Sequence, residues 1–145
     1  MRVRRLETVD ADLAAEAVRA VKGPAPDASF GKAYFRRFLA RAENILIVAD
    51  EDGLPVGFLL AYALDRVDRD RRMVCLYEIG VAETHRRRGV GRALVEEVKA
   101  HCRRGNVMKA WVVTSRSNRA AIRLYESTGA RAGADDVVFV WEPLV

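Results

Sequence analysis

The spacing of apolar and polar positions changes several times along the chain, and each change marks an element. Residues 2–6 read as a short strand. Ala14, Ala17, Val18 and Val21 then recur at intervals of three and four, the mark of a helix with one buried face, and Gly23 follows as its stop. A second helix is expected from Ser29, a suitable N-cap, to Ala42, with Phe30, Tyr34, Phe38 and Leu39 on one side. Two β-rich runs, 45–49 and 56–62, flank an Asp-Gly turn and predict a hairpin. After the charged connection 65–72, residues 73–81 form a third run of strand character.

The rhythm becomes helical again at Val90, Leu94, Val98 and Cys102, which predicts a helix from Gly89 to Arg103 that stops near Gly105. Lys109 to Thr114 reads as a buried strand. Ser117 or Asn118 opens another helix that Gly129 ends, and 136–141 is expected to be a last strand. The order is strand, two helices, three strands, helix, strand, helix, strand. That order predicts an α+β fold, with about four helices on a mixed, mostly antiparallel sheet of six to seven strands.

Composition adds limits. The 145 residues are the size of one domain, expected to span 1–145, and half of them are hydrophobic. No apolar run is long enough to cross a bilayer, and the basic N-terminus has no apolar stretch behind it. The expectation is therefore a cytoplasmic protein without a membrane partner. Cys75 and Cys102 each sit in an apolar pattern and are expected to be buried reduced thiols. With His85 and His101 they make no zinc spacing, so no metal is expected. The net charge of +5 suits an anionic partner without choosing one.

Position chooses better than total. From Glu78 to Leu94 the chain reads as a strand, a tight loop and the start of a helix, and the loop carries Arg86, Arg87, Arg88, Gly89, Val90, Gly91 and Arg92. The first N–H groups of a helix lack internal partners, the helix dipole adds positive charge there, and glycine allows close approach of a ligand. Arginines at that end oppose the dipole, at about 0.3–1 kcal/mol each when exposed. A bound polyanion reverses the sign. The spacing is neither that of a Walker loop nor Gly-x-Gly-x-x-Gly.

The pattern Arg86-x-x-Gly89-x-Gly91 resembles the Gln/Arg-x-x-Gly-x-Gly/Ala signature of the GNAT family of N-acetyltransferases. A second stretch, Asn118 to Ala130, resembles that family's Asn-x-x-Ala-x-x-x-Tyr…Gly-Phe segment through Asn118, Ala121, Tyr125 and Gly129. It departs at Ala130, where Phe is common. The resemblance covers essentially the whole chain.

The resemblance implies a GNAT fold and acetyl-coenzyme A as co-substrate. Its pyrophosphate would lie on the N–H groups of Arg86 to Arg92, its pantetheine arm along Ile79 and Val81, and Asn118, Ala121 and Tyr125 would complete the site. Two parallel strands would splay at the runs ending at Val81 and Thr114, and the Val81 N–H would stabilise the oxyanion. Tyr125 is then the candidate acid for the departing thiolate, and Glu78 the candidate base, directly or through a water. An ion pair with a nearby arginine is the other reading of Glu78.

The segment from Tyr77 to Gly89 is also similar to that of aminoglycoside 3-N-acetyltransferases, in which a Tyr-Asp pair precedes a run ending His-Arg-Arg-Gln-Gly. This implies a cationic, aminoglycoside-like small-molecule acceptor and a link to antibiotic resistance. Glu78 would bind it with loop carboxylates. Asp27, Asp65, Asp68, Asp135, Asp136 and Glu142 are available, and Asp135 and Asp136 lead because they precede the expected last strand.

Three alternatives stand beside this. One is a protein or peptide N-acetyltransferase, and another a non-catalytic coenzyme A sensor. The third is a nucleic-acid-binding module, against which stands the absence of aromatic-basic interleaving. The family also pairs through C-terminal strands in many members, which leaves room for a homodimer.

Overall fold

A computed structural model describes residues 1–24, 31–133 and 135–142. The elements are β1 (Arg2–Arg5), α1 (Ala11–Lys22), α2 (Lys32–Leu39), β2 (Asn44–Glu51), β3 (Leu54–Asp65), β4 (Arg72–Val81), α3 (Val90–Arg104), β5 (Val107–Val112) and α4 (Arg119–Ser127). Short 3₁₀ turns at Thr8–Asp10 and Glu83–His85 precede α1 and α3.

The strands form one sheet in the order β1-β2-β3-β4-β5, antiparallel except for the parallel pair β4–β5. Both faces of the sheet are covered. Ile45, Ile47 and Ala49 of β2 join α3 residues Val90, Leu94 and Val98 in one core. Leu46 and Val48 join Ala14 and Ala17 of α1 and Phe35 and Leu39 of α2 in the other. A strand covered on both sides needs no polar alternation, which is why 45–49 reads as an unbroken apolar run.

Small residues set the distance between layers. Ala11, Ala14 and Ala17 are fully buried on α1. At Gly80 of β4 a Cβ would overlap the Val21 side chain, so α1 rests directly on the strand backbone. Arg4 forms a two-pronged bond to Asp10 at 2.7 and 2.8 Å, tying β1 to the entry of α1. Among the described residues no helix is long and apolar enough to cross a membrane.

Most expected elements are present, with differences, one of which is the strand expected as buried at Lys109 to Thr114: it runs Val107–Val112 and is partly buried to exposed along its length. The second helix covers Lys32–Leu39 instead of Ser29 to Ala42, and its core-facing residues are Phe35 and Leu39, while Tyr34 and Phe38 are only partly buried. Its C-terminal limit has a local cause: the buried Asn44 side chain donates to the Phe38 carbonyl at 2.9 Å. The proposed cap Ser29, together with Phe30, lies outside the described residues.

The expected strand at 136–141 does not form. Val137 to Trp141 are 66–76 % exposed and join no ladder. The described sheet therefore has five strands, not six to seven. An apolar run states a capacity for burial but does not supply a pairing partner. Finally, Cys102 is buried but Cys75 is only partly so; both are free thiols.

Candidate functional site

The site begins where the parallel ladder ends. β4 and β5 pair from Arg72↔Val107 to Leu76↔Val112, and β4 then continues alone through Tyr77–Val81. On its other side β4 stays paired with β3 as far as Gly57↔Val81. The Ala82 N–H donates to the Val56 carbonyl at 2.8 Å. Residues of an antiparallel strand alternate the direction of their polar groups, so Val81 and Ile79 turn their N–H and C=O away from β3 and into the gap that β5 has left. The pairing thus ends at Leu76 and Val112, where the resemblance implied a splay at the runs ending at Val81 and Thr114.

The loop that follows brings the start of α3 to the same place. Arg87 has φ 59°, and Gly89, the N-cap of α3, has φ 85°. That conformation strains a side chain and suits glycine. The first N–H in the helical ladder is that of Ala93, on Gly89 O at 3.0 Å, so the N–H groups of Val90, Gly91 and Arg92 precede it. The Arg86 side chain donates from Nε to the Val81 carbonyl at 3.3 Å and pins the loop to the strand end. Arg88 and His85 both approach Glu51 in the β2–β3 hairpin, at 3.8 and 3.5 Å. Gly91 joins three elements: a Cβ there would lie 3.3 Å from Leu124 of α4 and 4.0 Å from Val81 of β4.

These features fit a pyrophosphate-bearing co-substrate. Free helix-terminal N–H groups and arginines suit the phosphates. An unpaired stretch of strand edge suits an arm that hydrogen-bonds like an added strand. Space above Gly89 is open, with no atom within 4 Å of where a Cβ would stand.

α4 carries the downstream candidates. Asn118 is its N-cap, and its Oδ1 accepts the Ala121 N–H at 3.1 Å. That bond supplies a structural reason for Asn118 and positions Ala121 in the first turn. Tyr125, two turns on, is partly buried against the same core that Ile79 and Val81 touch. Burial pushes its phenol pKa up, so the hydroxyl holds its proton throughout the neutral range.

Glu78 lies on the opposite face of the sheet. Leu60 pairs with Glu78 and Ala61 with Leu76, which leaves Tyr77 as one extra residue in β4. Leu76 belongs to the α3-side core, and strict alternation would send Glu78 to that side too. The bulge reverses the phase and turns Glu78 toward α1 and α2. Tyr77 itself is exposed, with its ring 5.6 Å from that of Tyr62 at 74°.

On that face Glu78 borders a cavity of about 460 Å³ between α1, α2 and the sheet. Its carboxylate is ion-paired with Lys22, the last residue of α1. The partner is thus a lysine from another element, where the sequence suggested a nearby arginine. Asp135 and Asp136 lie elsewhere, on the exposed irregular segment after α4, and Asp136 folds back over Gly133. Neither lines the cavity. Asp27 lies outside the described residues.

Three site features escaped the sequence. Lys22 gave no signal, because it ends a helix like many surface lysines. The bulge at Tyr77 breaks no sequence rule. Tyr62 looked like an ordinary strand aromatic. Tyr34 and Phe38 were visible as a helical pair, and both line the cavity.

Residues 11–130 match the acetyltransferase (GNAT) family. The chain belongs to that family. An Escherichia coli (strain K12) relative, a [ribosomal protein bS18]-alanine N-acetyltransferase, is 37% identical over 73 residues, which are 50% of this chain and 48% of that protein. The chain spans about half the length of the curated relatives it matches first.

Among solved structures, an aminoglycoside acetyltransferase from an uncultured soil metagenomic sample, crystallised with sisomicin, superposes with a TM-score of 0.84 at 19% identity. It covers 97% of this chain and 94% of its own. Another aminoglycoside acetyltransferase from such a sample gives 0.79 at 27% identity, over 97% and 98%. The GNAT fold is therefore shown, with a shorter described sheet than the sequence suggested.

Proposed function

We propose that the protein is an acetyl-coenzyme A-dependent N-acetyltransferase acting on a primary amine. The observation that carries the reading is the convergence at Gly91. There the unpaired end of β4, the N-terminus of α3 and the Tyr125-bearing α4 meet beside a gap that opens between β4 and β5. Acetyl-coenzyme A would supply an activated acetyl group as a thioester.

Backbone N–H groups from Arg86 to Arg92 would hold its pyrophosphate, and the polar groups of Ile79 and Val81 its pantetheine arm. The Val81 N–H would donate to the thioester carbonyl as negative charge gathers on that oxygen. Glu78, from the other face, would hold the incoming ammonium and accept its proton, directly or through a water. Attack by the amine nitrogen forms the amide bond and breaks the carbon–sulfur bond, and the surplus proton left on that nitrogen would restore the Tyr125 phenol after it has protonated the thiolate. Tyr125 would protonate the departing thiolate, and its raised pKa keeps the proton available.

A second reading concerns only the acceptor. An aminoglycoside-like cation is one class, from the two aminoglycoside acetyltransferases named above. A peptide N-terminus is the other class, from the bS18-alanine relative.

The test is direct. Acetyl-coenzyme A at a hundredfold excess over Kd should raise the thermal midpoint by about 5–10 °C. Thiol release should follow when a primary amine is added. No shift and no thiol release with any amine would sink the proposal.

A further inference from the structure

The cavity beside Glu78 is not built like a polycation site. Tyr34 and Phe38 form one wall, their rings stacked at 6.1 Å and 26°. Phe58 and Leu60 supply the sheet side, Val18 and Tyr62 add to it, and two cations, Arg19 and Lys22, also line it. The described lining holds a single carboxylate, Glu78, already paired with Lys22. The other acidic residues expected to help, Asp135 and Asp136, do not line it. Several ammonium groups placed against aromatic and aliphatic walls would lose hydration with one carboxylate to compensate them. One ammonium with a hydrocarbon body matches the lining on both counts.

Lys22 supplies the second half of the argument. Its side chain is about half exposed, at the end of α1. A half-exposed ion pair of a flexible lysine contributes little and exchanges readily. An incoming ammonium can take over Glu78 while Lys22 swings to solvent.

We propose that this cavity selects the acceptor: a primary amine with one apolar or aromatic substituent and no further charge. The substituent fills the space between Tyr34, Phe38, Phe58 and Leu60, and the ammonium displaces Lys22 from Glu78. The inference rests on the acetyl-transfer reading above and names the substrate class of that same site.

The experiment compares n-alkylamines from ethyl to hexyl, which share one amine basicity, with phenethylamine, kanamycin and an alanine-initiated peptide. Thiol release is read as kcat/KM. The expected result is a rise of about fourfold for each added methylene over the first few, with phenethylamine at the top of the set. The Phe38→Ala variant should flatten that series, while its thermal shift with acetyl-coenzyme A stays intact and so shows that it folds.

Three outcomes would overturn the inference and leave the transferase reading standing: a flat alkyl series, kanamycin as the best acceptor, or the peptide as the best acceptor, each alongside a preserved acetyl-coenzyme A shift. An unchanged slope in Phe38→Ala would overturn the cavity as its cause. Loss of both the shift and all thiol release would instead sink the transferase reading itself.

Discussion

The two faces of β4 make a useful contrast. On the α3 side the recognition elements are contiguous in sequence: the strand end, the Arg86–Gly91 loop and the first turn of α3 run straight through Ile79 to Arg92. On the α1 side they are assembled from a distance. Lys22 ends α1, Tyr34 and Phe38 come from α2, Leu60 and Tyr62 from β3, and Glu78 from β4. The contiguous face can be recognised as a motif. The assembled face has no motif, and its chemistry follows from packing.

Breaking the contiguous face should have the largest effect. Gly89→Trp forces a bulky side chain into a φ of 85° and fills the open space above the loop. Calorimetric titration should find acetyl-coenzyme A affinity lowered by more than about a hundredfold, since each 1.4 kcal/mol is tenfold and strain and steric block add. A variant that keeps wild-type affinity would remove this loop from the donor site.

Tyr125→Phe comes next. A positioned acid contributes about 10²–10⁴-fold, so kcat should fall by at least about a hundredfold with acetyl-coenzyme A affinity nearly unchanged. Equal kcat would take Tyr125 out of the reaction. The pH profile sharpens this. Burial raises the phenol pKa, so activity that depends on the protonated phenol should persist past the ordinary tyrosine range and fall only above it. A decline near neutrality would point to another group.

The assembled face should respond more mildly. Lys22→Ala frees Glu78 of its partner, and KM for a small amine should drop about two- to fivefold, in keeping with the loss of a weak surface-type ion pair. A rise in KM would mean that Lys22 helps to bind the acceptor.

The smallest effect on activity, though not on the fold, is expected at Asp10. Hydrogen bonding from Arg4 lowers its pKa, so the pair stabilises the folded state fully above the unfolded carboxylate value of about 3.9. That contribution fades as pH falls through the lower folded value. Asp10→Asn should cost about 1–3 kcal/mol at pH 7 by denaturant titration, with kcat little changed. The difference from the wild type should shrink in acid. A gap that grows in acid would contradict the assignment.

The same contrast explains what was legible beforehand. The α3 stripe Val90, Leu94, Val98 and Cys102 is buried as its spacing required, because helix periodicity is a local property. Asn118 opens α4 as its side-chain chemistry required. The strand expected at 136–141 fails to form for the opposite reason. Residues 137–141 carry strand-forming side chains, but a strand exists only when an edge accepts it, and a partner is not a local property.

The sequence by itself determined α1, α3 and α4, the hairpin, the glycine-bearing loop between β4 and α3, and the family resemblance that those residues carry. All of these depend on contacts within a few turns or on backbone freedom at one residue. Only the tertiary structure decided where β5 leaves β4, which opens the edge at Ile79 and Val81. It also decided that one extra residue at Tyr77 turns Glu78 from the α3 core to the aromatic cavity, facing Lys22. A period of two assigns side chains to faces only while the register holds, and a bulge is a change of register that pairing, not composition, selects.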